Sequence, residues 1–413
     1  MGTIYVDTGG SATNSGSTDQ NAANLSGAAA TDVTTVLTLD GSPDLSGIVT
    51  SGATQSTIYL AAATVANRKI FWITAADDVL KTVTVDTAPA LTAGTSAWAI
   101  GGRFVWTPAS IEGSLRAGDV VTLNNSPAST TADWITCRTA GDATSGRITV
   151  KGMAGSRPAI TNTSTTQCVE GGSQARWKFE NLEFIQQGAS GSVTQSMGQG
   201  VLMYNIKVSD GGGSGINQGD DFYLIASEIT GVGGDGYVLS GTGGLHAIGN
   251  YIHDCTGDGI EITSNVRSAL THNIIDTCAG RGIYFSNSST TSLVNTLNGN
   301  TVYGCGNSGL EVADADQTML LVNNIFSENG DAAGEFNVEW AAGTAELLSF
   351  HAWNVFYHSG GGGGANLSNL TVNAQVASSE FTTDPAFTDA AGGDFSIGST
   401  SPAKAAGFPG QFL

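Results

Sequence analysis

The most chemistry that can be assembled from this chain lies between residues 235 and 311, in Asp235, Asp258, Glu261, Arg281, Tyr284 and Glu311. Two carboxylates at a fixed separation can work as a hydrolase pair at a glycosidic bond, and a tyrosine beside them can stack on a sugar ring. Glu261 and Glu311 fall two repeats apart, roughly 9.6 Å by strand spacing, at the edge of the separation that inverting hydrolysis uses. Arg281 stacks over Asp258 and, one repeat earlier, Asp235. The sharp reading is a carboxylate–arginine site. The bland one is an exposed ion pair along a turn, worth about 0–1 kcal/mol, and it is favoured, as is a solvated face for Glu261, Tyr284 and Glu311. His253 and His272 fall at unequal positions in their repeats, while His351 and His358 flank Trp353 and Tyr357, a packing pattern. No Ser-His-Asp order, phosphate-binding loop or zinc spacing occurs. Asp314-x-Asp316 is where calcium could bind, but it lacks the rest of a loop signature, so no cofactor is expected.

These residues are placed by a repeat. Aliphatic residues return at Leu182, Ile206, Ile229, Ile252, Ile275, Val302 and Ile325, at spacings of 24, 23, 23, 23, 27 and 23. Self-similarity at such a period marks a solenoid. Asn250-Tyr-Ile-His-Asp-Cys255 with Gly259-Ile-Glu-Ile262, Asn273-Ile-Ile-Asp-Thr-Cys278 with Gly282-Ile-Tyr-Phe285, and Asn300-Thr-Val-Tyr-Gly-Cys305 with Gly309-Leu-Glu-Val312 are the clearest copies. Each holds two short runs of period two joined by Gly, Asn and Asp, which means strands and tight turns. A parallel β-helix fits. Ile260, Ile262, Ile283, Phe285, Leu310 and Val312 then point inward, and Glu261, Tyr284 and Glu311 form an outward line. Asn250, Asn273, Asn300 and Asn323 are expected to form an internal amide ladder. Cys255, Cys278 and Cys305 share one position, which reads as a stack of buried thiols rather than disulfides or a metal site.

Composition agrees. Of 413 residues, 57 are glycine and only 12% are charged, while 40% are hydrophobic, so the chain is a turn-rich all-β protein rather than a disordered one. The net charge of −21 repels nucleic acid and anionic membranes and counts against polyanionic substrates unless a cation bridges. The N-terminus, Met1-Gly-Thr-Ile-Tyr-Val-Asp7, has neither the basic nor the apolar region of a secretion signal, and no run of 18 apolar residues exists. Residues 1–19 read as a first strand and cap. Residues 20–112 lack the repeat but alternate over 34–39, 57–61, 69–74, 82–86 and 97–100, which predicts a small β-barrel or sandwich, a docking or oligomer contact. Residues 113–413 read as the β-helix with a C-terminal cap, interrupted by a flexible five-glycine tract, Gly360 to Gly364.

Tyr5-Val-Asp with Gly9-Gly10 and Asn14-Ser-Gly16, then Ala117-Gly-Asp119, then Asp384-Pro-x-Phe387, Gly393-Asp-Phe395 and Ser401-Pro-Ala403 resemble right-handed parallel β-helix proteins of the pectate-lyase-like superfamily. The resemblance covers residues 1–19 and 113–413, about three quarters of the chain. The family spans lyases, hydrolases, epimerases, bacteriophage tailspikes and non-catalytic virion proteins, and the inserted segment ending Trp98-Ala-Ile-Gly-Gly102 looks most like the phage members. Gly219-Asp220-Asp221 resembles the paired aspartates of the polygalacturonase branch, but that branch's Asn-Thr-Asp, Gly-His-Gly and Arg-Ile-Lys elements are missing. The lyase branch needs calcium-binding acids and an arginine base, and Arg267 and Arg281 are the only arginines between residues 177 and 413. The expectation is therefore a non-catalytic virion protein, a trimeric capsid decoration or short spike that partners capsid or tail proteins and touches surface polysaccharide, without nucleic acid or membrane. Two alternatives stand beside it. One is a tailspike-like or secreted depolymerase using Asp220, Asp221, Asp258 and Glu261. The other is a glycan-binding adhesin using Asp235, Glu261, Arg281, Tyr284 and Glu311.

Overall fold

The computed structural model describes residues 3–11, 24–52, 54–64, 70–91, 95–101, 115–124, 126, 135–189, 191–264, 266–286, 294–313, 317–330, 335–340, 350–359, 365–368 and 381–405. The expected calcium position at Asp314-x-Asp316 and the five-glycine tract lie outside them. The chain forms two compact units, Met1–Ile185 and Gln186–Leu413.

In the first unit, Thr3–Ser11, Val120–Leu123, Ile148–Gly152 and Trp177–Glu180 pair in parallel in that order. Between the first two of these strands the chain detours into a closed antiparallel barrel of six strands. Five fall where alternation predicts them. The sixth, Leu25–Val33, is Gly- and Ala-rich and gives no period-two signal. Leu37, Leu39, Ile58, Phe71, Ile73, Val83 and Trp98 fill the barrel, and the Trp98 indole N–H donates to Asp40 Oδ1 at 2.7 Å. Arg116, in the turn before Val120, lies 4.2 Å over the Trp72 ring and donates to Gln55 Oε1 at 3.1 Å, so barrel and first coil share one side chain.

The second unit is a three-sheet solenoid, all parallel within its ladders. Sheet A runs from Val201–Tyr204 to Phe350–Ala352, sheet B from Lys207–Ser209 to Val355–Tyr357, and sheet C from Thr194–Gln195 to Ala365–Ser368. Register fixes the true coil length. Val208, Ile229, Ile252, Ile275, Val302, Phe326 and Phe356 pair in succession, so the coils measure 21, 23, 23, 27, 24 and 30 residues. Among the coils from Val208 to Phe356, two positions of the sequence-derived repeat therefore move. Ile325 gives its place to Phe326, and Ile206 gives its place to Val208.

The same shift corrects the ladder. Asn250, Asn273 and Asn300 are fully buried or nearly so, and each side-chain oxygen accepts from the backbone N–H of the preceding rung. The next rungs are Asn324 and Asn354, not Asn323. Asn323 sits at the corner between sheets A and B with φ 56°, in one column with Gly249, His272 and Gly299. That left-handed corner suits Gly and Asn best, though His272 and Ala226 also hold it. Corners between sheets B and C are longer but also turn through a left-handed residue, with Gly231, Asp254, Thr277, Gly304 and Glu328 at positive φ. Behind them stand the buried free thiols of Cys255, Cys278 and Cys305. They rest on Gly236, Gly259 and Gly282: a Cβ on any of these would meet the next glycine's carbonyl oxygen at 2.6 Å. Only the corner between sheets C and A varies much in length.

Sheet B differs from the half-solvated sheet that alternation predicts. Its outward row, Glu228, Tyr251, Ile274, Thr301, Ile325 and Val355, turns apolar along the axis. The C-terminal segment covers it. Phe381 bridges Val355, and the hairpin Phe387–Asp389 with Asp394–Ile397 packs Phe387 and Phe395 against Tyr303. A Cβ on Gly393 would meet the Tyr251 hydroxyl at 3.1 Å. The tail is thus a cover along one side of the solenoid as well as a closing coil.

Candidate functional site

At the corner leading into sheet C, Asp235, Asp258 and Arg281 stack, each preceding a glycine whose N–H bonds to the next coil. Asp235 Oδ1 accepts the Asp258 N–H at 2.7 Å, and Asp258 Oδ1 accepts the Arg281 N–H at 2.6 Å. Each carboxylate thus supplies a rung between coils. Glu261, Tyr284 and Glu311 pair across the outward row of sheet C, as period two requires. The Arg281 guanidinium gathers the group: it bonds Glu311, lies 3.6 Å from Asp258 Oδ2 and rests 3.9 Å over the Tyr284 ring. That face of the tyrosine is covered by its own chain, so a sugar could use only the other. Burial, outweighing the Arg281 contacts, pushes the Asp258 carboxyl up to about 6. Burial also raises Glu261, against a hydrogen bond from Ser286.

Asp220 and Asp221 do not join this cluster. They lie at the opposite end of sheet C. Asp220 Oδ1 accepts from the Thr242 N–H and hydroxyl at 3.0 and 2.9 Å, and Asp221 Oδ1 accepts the Gly244 N–H at 2.9 Å. The Asp220 and Asp221 side chains tie one coil's corner to the next. The four candidate catalytic acids therefore split into two pairs, Asp220 with Asp221 at one end of the sheet C strands and Asp258 with Glu261 at the other.

Two groupings escaped the sequence. On sheet B, Asp276 is 5% exposed, and its carboxyl accepts the Tyr251 hydroxyl at 3.2 Å. Burial pushes it up to about 6. On sheet A, a cleft of about 590 Å³ is lined by Asp221, Thr242, His246, Arg267, Ala269 and Thr296 among others. Its pattern runs across coils of unequal length and is visible only once register is known. Among the described residues no cluster of His, Cys, Asp and Glu is suited to a metal ion, and no helix is long and apolar enough to cross a membrane.

Residues 193–345 match the family described as right handed beta helix region. No curated protein matches the chain by sequence. Similar solved structures include the A-module of the Azotobacter vinelandii mannuronan C-5 epimerase AlgE4, at 12% identity over 62% of this chain and 71% of that one, with a TM-score of 0.41. The periplasmic alginate epimerase AlgG is similar at 11% identity over 64% and 60%, TM-score 0.34. The enzymatically active domain of tailspike protein 2 of bacteriophage CBA120 is similar at 10% identity over 77% and 53%, TM-score 0.44. At such identities likeness is a matter of fold and assigns no activity. The chain is a parallel β-solenoid bearing a small closed barrel, and over residues 193–345 it is similar to right-handed β-helix regions.

Proposed function

We propose that this chain is a non-catalytic structural protein displayed on a bacteriophage particle, a capsid decoration or short spike, trimeric and held to the particle through its barrel. The observation that carries the non-catalytic part is the use made of the acids. Asp220, Asp221, Asp235 and Asp258 each accept a backbone N–H of the following coil, and Arg281 binds Glu311. Carboxylates spent this way build the solenoid's corners. The acidic surface, at net −21, suits constant exposure to solvent and repels packaged nucleic acid. Light scattering of the purified chain, followed by sedimentation with capsids of the encoding phage, tests the reading. A trimer that travels with capsids is expected; a monomer that stays in the supernatant overturns it.

One observation favours a second reading, a polysaccharide depolymerase. Asp258, held near 6, could give up a proton at neutral pH, with Glu261 three residues on as its partner. In that case the wild type shortens a bacterial surface polysaccharide, and Asp258→Asn loses at least a hundredfold in rate, as expected of a general acid. No shortening by the wild type removes this reading.

A further inference from the structure

The outward row of sheet A contains a notch. Leu202, Tyr223, His246, Ala269, Thr296, Leu320 and Phe350 are paired neighbours across successive coils. Their sizes run large, large, large, small, small, large, large. Tyr223 and His246 stack with ring centroids 4.7 Å apart and planes 7° from parallel, the spacing of the strands themselves. The next position in that stack is Ala269, whose single methyl leaves the far face of the imidazole open. Leu320, three strands from His246 and roughly 14 Å away by strand spacing, forms the opposite wall.

This notch opens into the cleft of about 590 Å³, within the roughly 300–1,000 Å³ usual for small-molecule sites. Hydrogen-bonding groups surround it: the Asp221 carboxylate, the Thr242 and Thr296 side chains, the His246 ring and the Gly243–Gly244 backbone. At its rim stands exposed Arg267, which makes no ion pair with any described residue, in a chain with 15 basic residues against 36 acidic. An arginine fork left open beside a polar cleft matches a carboxylate.

We propose that this cleft binds one pyranose ring bearing a single carboxylate. One face of the ring continues the Tyr223–His246 stack over Ala269, its hydroxyls meet the polar walls, and its carboxylate pairs with Arg267. The Thr242 and Thr296 hydroxyls, the single Asp221 carboxylate and the His246 ring offer hydrogen bonds that a polyhydroxylated ring can use and an aromatic one cannot. The chain's negative field disfavours a long polyuronate, but acts weakly on one charge neutralised at contact, since screening sets in within about 8 Å at physiological salt. The site is remote from Asp258 and Glu261 and does not depend on attachment to a particle.

Titration calorimetry with methyl β-D-glucuronide, methyl β-D-glucoside and polygalacturonate tests this. Saturable binding of the glucuronide is expected, with the glucoside and each polymer unit about tenfold weaker, the scale of one charge-assisted contact. Arg267→Gln should erase the preference over the glucoside. Ala269→Phe should fill the notch and abolish binding while unfolding at the wild-type temperature, because position 269 faces outward. The proposal fails if the glucuronide does not saturate below about 10 mM, a weak-binding limit. It fails equally if the glucoside binds as well, or if Ala269→Phe binds like the wild type.

Discussion

Asn323 and Asn324 are chemically identical neighbours with different tasks. Asn324 accepts from the Asn300 backbone and side-chain N–H groups at 3.0 and 2.9 Å and donates to Leu297 and Asn354. Removing it orphans several buried groups, so Asn324→Ala should cost about 2–4 kcal/mol. Asn323 only occupies a left-handed corner. Asn323→Ala should cost about 1 kcal/mol and Asn323→Gly nothing, as judged by urea unfolding. A larger loss from the Asn323 substitution would reverse the assignment. The sequence pattern selects Asn323 because it lies two residues before an aliphatic residue, as in the other repeats. Alternation cannot decide between adjacent asparagines followed by adjacent apolar residues; only the length of the coil can. The line Glu261–Tyr284–Glu311 was legible because three consecutive coils keep their register from Gly259 to Val312. That Arg281 covers Tyr284 was not, since side-chain reach across a turn leaves no periodic trace.

Among the elements, the C-terminal hairpin was the least legible. Its signal was present in the doublets Ile274-Ile275, Ile325-Phe326 and Val355-Phe356, where both faces of a strand are apolar. Such doublets say that a cover exists without saying which segment provides it. The hairpin and Asp276 share this side of the solenoid, and the consequence is a pH dependence. Asp276 is pushed up to about 6 by burial, opposed by the Tyr251 hydrogen bond and His253, with Asp254 adding to the rise. A carboxyl whose folded value lies above its ordinary 3.8 binds more protons folded than unfolded, so stability falls as pH rises from about 4 to about 6. Asp276→Asn should therefore match the wild type near pH 4 and melt at a higher temperature above pH 6.5. A difference in melting temperature that is flat from pH 4 to 8 would contradict this. In the first unit, the element joint is Arg116. Arg116→Ala removes a cation–π contact, a hydrogen bond to Gln55 and the ion pair with buried Asp119, and should lower the stability of the barrel by about 1–3 kcal/mol, read from Trp72 fluorescence during denaturation.

At the scale of the whole chain, composition and periodicity made the architecture legible because a solenoid is local: each coil touches its neighbours, so every repeat states the fold again. The barrel was partly legible, five strands of six, because its Gly- and Ala-rich strand lacks alternating side chains. The candidate sites were less so, since the proposed cleft rests on breaks of the pattern: small residues in a row of large ones, and an arginine that pairs with no acid among the described residues of an acidic protein.

Those unequal coils also make the second unit a ruler under load. A chain drawn out coil by coil yields a length set by the residues each coil stores, about 3.4 Å apiece when extended. The coils of 21 and 30 residues would release about 70 and 100 Å, and those between would fall in their own order. A single molecule stretched by its ends should therefore write its register as a series of steps, with the longest and shortest at opposite ends of the solenoid.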